Sequence, residues 1–292
     1  MIPPLALRLH QDRPLLLDGG LGTQLIAAGL EAGQPPERWV LEHPDRVLAV
    51  HRAYVAAGSE LIHPCTFGAN RLRLRPFGLE ERLVEINTRA VALARQAGAR
   101  WVVGDIGPTG EYLPPVGRAD PDVWRETFEE QAAVLLACGV DGFHIETMSD
   151  LREARVALEA VQLVAPGHPV MVSMTFDRKR RGFFTVMGDR LAPSLQALAA
   201  DGATAVGANC SITSPDMRAL ATEALAAVEV PVVLQPNAGQ PRVTPDGVVY
   251  DQDVAEFVRD VAAMAVAGVR VVGGCCGSDP GFIAALRAAL DA

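Results

Sequence analysis

The stretch Val269-Arg270-Val271-Val272-Gly273-Gly274-Cys275-Cys276-Gly277 runs from a short apolar segment through two glycines into a pair of adjacent cysteines, and a helix-like segment follows from Pro280. Side chains alternate between faces along a strand, so neighbouring cysteines inside an ideal strand point in opposite directions. The pair therefore belongs just past a strand end, where Gly274 and Gly277 let the backbone turn and the two sulfurs converge. A second apolar stretch, Ala203-Thr204-Ala205-Val206-Gly207-Ala208-Asn209-Cys210, also ends in a cysteine and is also followed by a turn and a helix-like run. If both strand ends lie on one rim of a barrel, Cys210, Cys275 and Cys276 meet.

Outward from these two stretches, short β-rich runs alternate with longer amphipathic ones, the pattern of parallel strands joined by crossover helices. Eight strands are expected: Pro14 to Leu17, Glu60 to His63, Trp101 to Gly104, Gly142 to Ile145, Pro169 to Met174, Ala203 to Ala208, Val230 to Gln235 and Val269 to Val272. Helices are expected at Arg82 to Ala97, Pro121 to Cys138, Leu151 to Val164, Pro215 to Val228, Asp253 to Ala267 and Pro280 to Leu290. No linker or composition break divides the series. The fold class is therefore α/β, a (β/α)₈ TIM barrel forming one domain over residues 1–292, with an open doubly wound sheet as the competitor. In such barrels chemistry collects at the carboxyl ends of the strands. Asp18, Cys65, Thr66, Asp105, Glu146, Cys210, Asn237, Cys275 and Cys276 all follow an expected strand.

Composition removes several function classes. Acidic residues outnumber basic ones, 35 to 26, and no large basic cluster exists, so nucleic acid is not an expected partner. Five cysteines, two of them adjacent, do not form a disulfide framework and read as reduced thiols of a cytoplasmic protein. The start Met1-Ile2-Pro3-Pro4-Leu5 is no signal peptide, and no apolar run reaches the length of about 18 residues that would span a membrane.

Three thiolates with a vacant fourth position suit a catalytic zinc ion. Such a centre is a poor activator of water but a good one for a thiol, which on arriving as fourth ligand loses its proton and becomes a nucleophile at neutral pH. The bland alternative is that these cysteines are small buried hydrophobes. Cys65 either adds a fourth sulfur and closes the site or forms a pocket wall, and Cys138, late in a helix pattern, reads as packing. Asp18-Gly19-Gly20-Leu21-Gly22-Thr23 lacks the third glycine of a dinucleotide fingerprint, because Leu25 occupies that place. Its amides suit a small carboxylate, and Asp18 an ammonium group. Glu146 shares a strand face with His144, so Asp18 and Glu146 form a candidate clamp for an α-amino group, against the alternative of two structural carboxylates. His144 reads as a satisfied core histidine. The basic run within Phe176 to Phe184 reads as a solvated rim loop, or as a mobile one that docks a methyl-donor protein or covers the substrate.

These residues resemble the homocysteine S-methyltransferase family, which includes betaine-homocysteine methyltransferase and the homocysteine module of cobalamin-dependent methionine synthase. The likeness lies in the glycine start at Asp18, Thr66-Phe67, Gly107-Pro108-Thr109, Glu146-Thr147, Gly207-Ala208-Asn209-Cys210, Pro236-Asn237-Ala238-Gly239 and Gly273-Gly274-Cys275-Cys276-Gly277. It implies a zinc site of Cys210, Cys275 and Cys276, with the homocysteine sulfur as arriving ligand. It further implies that Asp18 and Glu146 hold the amino group, that Gly19 and Thr66 help to hold the carboxylate, and that Asn237 occupies the open metal position until substrate displaces it. The implied product is methionine. The implied donor is a methylcorrinoid or methylfolate system, with a corrinoid protein as candidate partner, or S-methylmethionine or another sulfonium. Betaine ranks lower, because its quaternary ammonium calls for aromatic walls and 5% of the chain is aromatic. The sequence stops soon after the eighth helix-like segment, so no cobalamin or folate domain is expected within it. The competing readings are a zinc-holding subunit without activity, zinc-dependent hydrolysis, and methyl transfer to another small thiol.

Overall fold

The computed structural model describes residues 4–244 and 247–292. Eight parallel strands are present: β1 Leu15–Leu16, β2 Leu61–Ile62, β3 Trp101–Ile106, β4 Gly142–Met148, β5 Val170–Met174, β6 Ala205–Thr213, β7 Val232–Asn237 and β8 Val271–Val272. They are followed in turn by α1 Pro44–Ala56, α2 Leu83–Gln96, α3 Pro121–Ala137, α4 Leu151–Val164, α5 Leu191–Ala200, α6 Ser214–Ala227, α7 Val254–Ala267 and α8 Pro280–Asp291. Each strand pairs with its sequence neighbours from β2 through to β8, and β8 pairs with β1. At the remaining seam, the Glu60 N–H donates to the Leu16 carbonyl at 2.9 Å. The sheet is a nearly closed barrel, which removes the open-sheet alternative.

Strand alternation sorts the side chains into two regions. Leu15, Leu17, Leu61, Trp101, Val103, Met171, Ala205, Val233 and Val271 pack together inside the barrel, and Leu5 and Leu9 of the N-terminal segment join them. Leu16, Ile62, Val102, Ile145, Val172, Val206, Leu234 and Val272 instead pack against the helices. Further toward the carboxyl ends on the same inward face lie His63, Asp105, His144, Ser173, Asn209 and Gln235, all buried. The interior thus changes from apolar to polar along the barrel axis, as the fold requires of its reactive end. Four helices are capped by aspartates, Asp120, Asp150, Asp253 and Asp279, each accepting a backbone N–H of the first turn.

Two departures from the sequence reading matter. Strand β6 does not stop before its cysteine but runs on to Thr213, and its register against β7 shifts between Asn209 and Thr213. The basic run after β5 is not an open loop: Asp177–Lys179 pairs with Gly182–Phe184 as a hairpin, and Arg178 reaches Asp216 of α6 at 2.8 Å. Propensity for this hairpin is hidden by the charges of Arg178 to Arg181. No helix among the described residues is long and apolar enough to cross a membrane.

Gly207 marks where the barrel is tightest, since a Cβ there would strike the Val233 carbonyl on β7. Replacing it by alanine must push two central strands apart. We expect Gly207→Ala to lose about 3 kcal/mol or more of stability in chemical denaturation. Gly139→Ala, at a left-handed position with nothing within 4 Å, should lose about 1 kcal/mol.

Candidate active site at the carboxyl rim

The three cysteines of the sequence reading do converge. Within the irregular distal part of β6, Cys210 has φ of 60° and Ser211 follows with φ of 58°, two left-handed non-glycine residues in succession. That conformation costs energy and persists where its surroundings enforce it. Asn209 is the enforcing residue: its Oδ1 accepts the Thr147 N–H at 2.8 Å, and its Nδ2 donates to Thr147 Oγ1 at 2.7 Å and to Glu146 Oε2 at 2.9 Å. Thr147 is itself left-handed, with φ of 60°. One fully buried amide therefore ties β4 to β6 beside Cys210, whose sulfur faces the cavity.

The second half of the cluster is stitched to the glycine start. Gly274 N–H donates to the Asp18 carbonyl, Cys275 N–H to Pro236, and Ser278 Oγ to the Cys275 carbonyl at 2.7 Å. Gly20 N–H donates to the Ser278 carbonyl, and Tyr54 Oη reaches the same carbonyl at 2.9 Å. Gly277, with φ of 83°, packs face-on against the Tyr250 ring, where no Cβ fits. The sulfurs of Cys210, Cys275 and Cys276 lie within 4.8 Å of one another, and Cys210 and Cys276 are 3.9 Å apart. Tetrahedral zinc with sulfurs at about 2.3 Å sets them about 3.8 Å apart, so the cluster has the span of a metal site. The Cys275 and Cys276 thiols hydrogen-bond to the Cys210 sulfur, which pulls the Cys210 pKa down to about 3 and pushes Cys276 up to about 12. Asn237, buried, lies against Cys210, and its Oδ1 has no hydrogen-bond partner. A buried acceptor left open beside three sulfurs fits an arriving cation.

The cluster forms one wall of a cavity of about 240 Å³. Gly19, Gly20 and Thr23 line another side; Pro36, Cys65 and Phe67 are its apolar part; and His63, Asp105, Glu146 and Gln235 are its polar end. Cys65 is thus a wall residue outside the three-sulfur group, with burial raising its thiol pKa. Cys138 is half-buried at the C-cap of α3, packed against the core.

The predicted clamp is arranged less simply than the sequence suggested. Asp18 is buried behind the cavity, where its Oδ2 accepts the His63 N–H at 2.9 Å and its Oδ1 pairs with His63 Nδ1 at 2.8 Å. His63 Nε2 meets His144 Nδ1 at 2.8 Å, and His144 Nε2 meets Ser173 Oγ at 2.8 Å. This chain crosses the barrel from β1 to β5. Burial lowers the pKa of His63, but Asp18, Asp105 and Glu146 outweigh it and raise it to about 10, so His63 is an imidazolium. His144, desolvated and beside that cation, is held neutral. Burial, offset in part by His63, raises Glu146 to about 7. Thr66 is buried with its hydroxyl donating to the Asp105 carbonyl at 2.8 Å, so it sits behind the wall rather than on it. His63 was missed because its sequence neighbours, Pro64 and Cys65, drew attention to the thiol; the parity Leu61 to His63 was the available signal.

The family model for homocysteine S-methyltransferase matches residues 15–290. Methionine synthases of Mycobacterium leprae and Mycobacterium tuberculosis are each 28% identical over 96% of this chain. The chain spans about a quarter of their length, 24% and 25%. The metallated crystal structure of the homocysteine methyltransferase MmuM from Escherichia coli superposes with a TM-score of 0.79, at 26% identity, covering 98% of this chain and 99% of that one. With a family match running from β1 to the last turns of α8, the chain belongs to the homocysteine S-methyltransferase family.

Proposed function

We propose that this chain transfers a methyl group to the thiol of homocysteine, giving methionine, with zinc held by Cys210, Cys275 and Cys276. The observation that carries the reading is a three-sulfur cluster of metal-site dimensions opening on a cavity sized for a small amino acid. Zinc bound there would supply the positive charge that makes a thiol ionise at neutral pH. The chain's own residues do the rest. Pro36, Cys65 and Phe67 offer an apolar wall for the methylenes of the substrate and keep water from them. Glu146, with Asp18 acting through His63, makes the end of the cavity negative and suited to the α-ammonium group. The Gly19 edge, with Thr66 behind it, is the candidate for the carboxylate. Asn237, whose buried Oδ1 is unpartnered beside Cys210, would be a further ligand to the ion when no thiol is bound.

The substrate thiolate attacks the methyl carbon in line; the S–C bond forms as the bond from methyl to carrier breaks, and the carrier leaves with the electron pair. A methylcorrinoid or methylfolate-linked donor, or a sulfonium such as S-methylmethionine, satisfies that balance. Betaine is disfavoured because Phe67 is the one Phe, Tyr or Trp side chain lining the cavity among the described residues, where a quaternary ammonium asks for several. A purely metal-holding role fits poorly with a cluster that faces a cavity.

The test is a donor panel: metal-loaded protein, homocysteine, and in separate reactions methylcobalamin, S-methylmethionine and betaine, with methionine measured by mass spectrometry. Methionine from at least one of the first two is expected. None from any donor, despite stoichiometric zinc, would leave the metal-holding reading instead. Cys210→Ser is expected to reduce zinc retention during dialysis against a chelator by at least tenfold and turnover by about a thousandfold, whereas Cys138→Ser should change neither.

A further inference from the structure

Four side chains cross the barrel in one line of hydrogen bonds, and the methyl-transfer reading employs only the first two. Asp18 Oδ2 accepts the His63 backbone N–H at 2.9 Å, and Oδ1 pairs with His63 Nδ1 at 2.8 Å. His63 Nε2 pairs with His144 Nδ1 on β4, and His144 Nε2 with Ser173 Oγ on β5, each at 2.8 Å. His63 lines the cavity, whereas His144 and Ser173 are fully buried and are not among its lining residues.

Proton counting along this line leaves two arrangements. The Asp18 carboxylate makes Nδ1 of His63 a donor. One hydrogen occupies the link between the two imidazoles. With that hydrogen on His63, the ring is an imidazolium, His144 accepts at Nδ1, and the neutral His144 donates Nε2–H to Ser173. With it on His144, His63 is neutral, and the Ser173 hydroxyl must donate to Nε2. Both arrangements satisfy every ring nitrogen of the pair, and they differ by one proton. His51 on α1 shows the contrast: it is fully buried with neither ring nitrogen partnered, and desolvation lowers its pKa to about 4.

Charge decides between the two arrangements. His63 is faced by Asp18 from the end of β1, Asp105 from β3 and Glu146 from β4, with neutral His144 and His51 as its other titratable neighbours. These carboxylates favour the imidazolium, and the imidazolium in turn favours ionised Glu146 against its own burial. A carboxylate in place of His144 would add a fourth negative charge to this end, whereas a neutral imidazole accepts the hydrogen without one.

We propose that His144 and Ser173 are positioning residues: accepting in relay, they hold the positive charge of His63 against the cavity's acids and thereby set how well that end receives substrate, though neither touches it. The substrate readout rests on the homocysteine reading above; the protonation of the line does not.

The test begins with NMR of isotope-labelled histidine nitrogens in the zinc-loaded chain. At neutral pH both His63 nitrogens should carry hydrogen, and His144 should be the neutral Nε2–H tautomer. In His144→Leu, which removes the acceptor, the same signals should show His63 losing its second proton at a lower pH than in wild type. Homocysteine binding is then measured by calorimetry across pH. With less positive charge on His63, Glu146 ionises only at higher pH, so His144→Leu should move the acid limb of binding up by about one pH unit, an approximately tenfold weakening below the limb. His144→Asn, which keeps an acceptor near the place of Nδ1, should return most of that shift, and Ser173→Ala should move the limb the same way by less. Zinc content and thermal unfolding identify folded samples. A neutral His63 in wild type, or an acid limb that stays in place in the folded variants, overturns the assignment. If wild type binds no homocysteine, that reading fails by itself, and the nitrogen signals still decide whether the relay holds the charge.

Discussion

The structure depends on bringing sulfurs from two strand ends to one point, and the physical obstacle is backbone geometry rather than sulfur chemistry. Cys210 and Ser211 break β6 with two consecutive left-handed residues where its register shifts, and without support this stretch would relax to an extended conformation. Asn209 prevents this with hydrogen bonds to both the backbone and the hydroxyl of Thr147 across to β4. Its burial makes these bonds costly to break, because water cannot replace them. The same amide touches Glu146 at 2.9 Å and comes within 3.9 Å of Cys275. One side chain therefore fixes the three-sulfur cluster and the acidic end of the cavity relative to each other.

Close backbone approach is the second requirement, and it explains the glycines better than ligand binding does. Gly207 lets β6 lie against β7, and Gly277 lets the final loop lie against Tyr250. The Gly20 amide, a natural candidate for holding an anion, is spent on Ser278. The glycine start is thus in large part a structural joint between β1 and the Cys275–Cys276 loop.

The barrel was legible because short β-rich runs alternate with longer amphipathic ones eight times along the chain, and because the cysteine pair cannot be placed anywhere but past a strand end. Strands β3, β4 and β5 fall within a few residues of the expected bounds. The extension of β6 through Cys210 was not legible, since left-handed φ at Cys and Ser has no propensity signature. The candidate site was partly legible for the same reason. Composition at strand ends names the acids, but not which of them has its oxygens occupied. Asp18 and Asp105 look alike in sequence; only His63, which arrives on β2, separates a satisfied carboxylate from an open one. Thr66 shows the same limit, its hydroxyl turned to the Asp105 carbonyl.

Charge balance explains why the cavity needs both ends. A zinc held by three thiolates carries a net charge of about −1, and the far end holds Asp18, Asp105 and Glu146 against a single imidazolium. With all three acids ionised, the pocket would be negative throughout, a costly state in a low-dielectric interior. The upward displacement of the Asp105 and Glu146 carboxyls is the protein's way of avoiding that state while empty. On the reading proposed above, a zwitterionic thiol would resolve it differently: its ammonium would supply the counter-charge and let the acids ionise, and the length of its carbon chain would carry the sulfur to the opposite wall. Binding at the acidic end and orientation at the sulfur end would in this way be one event.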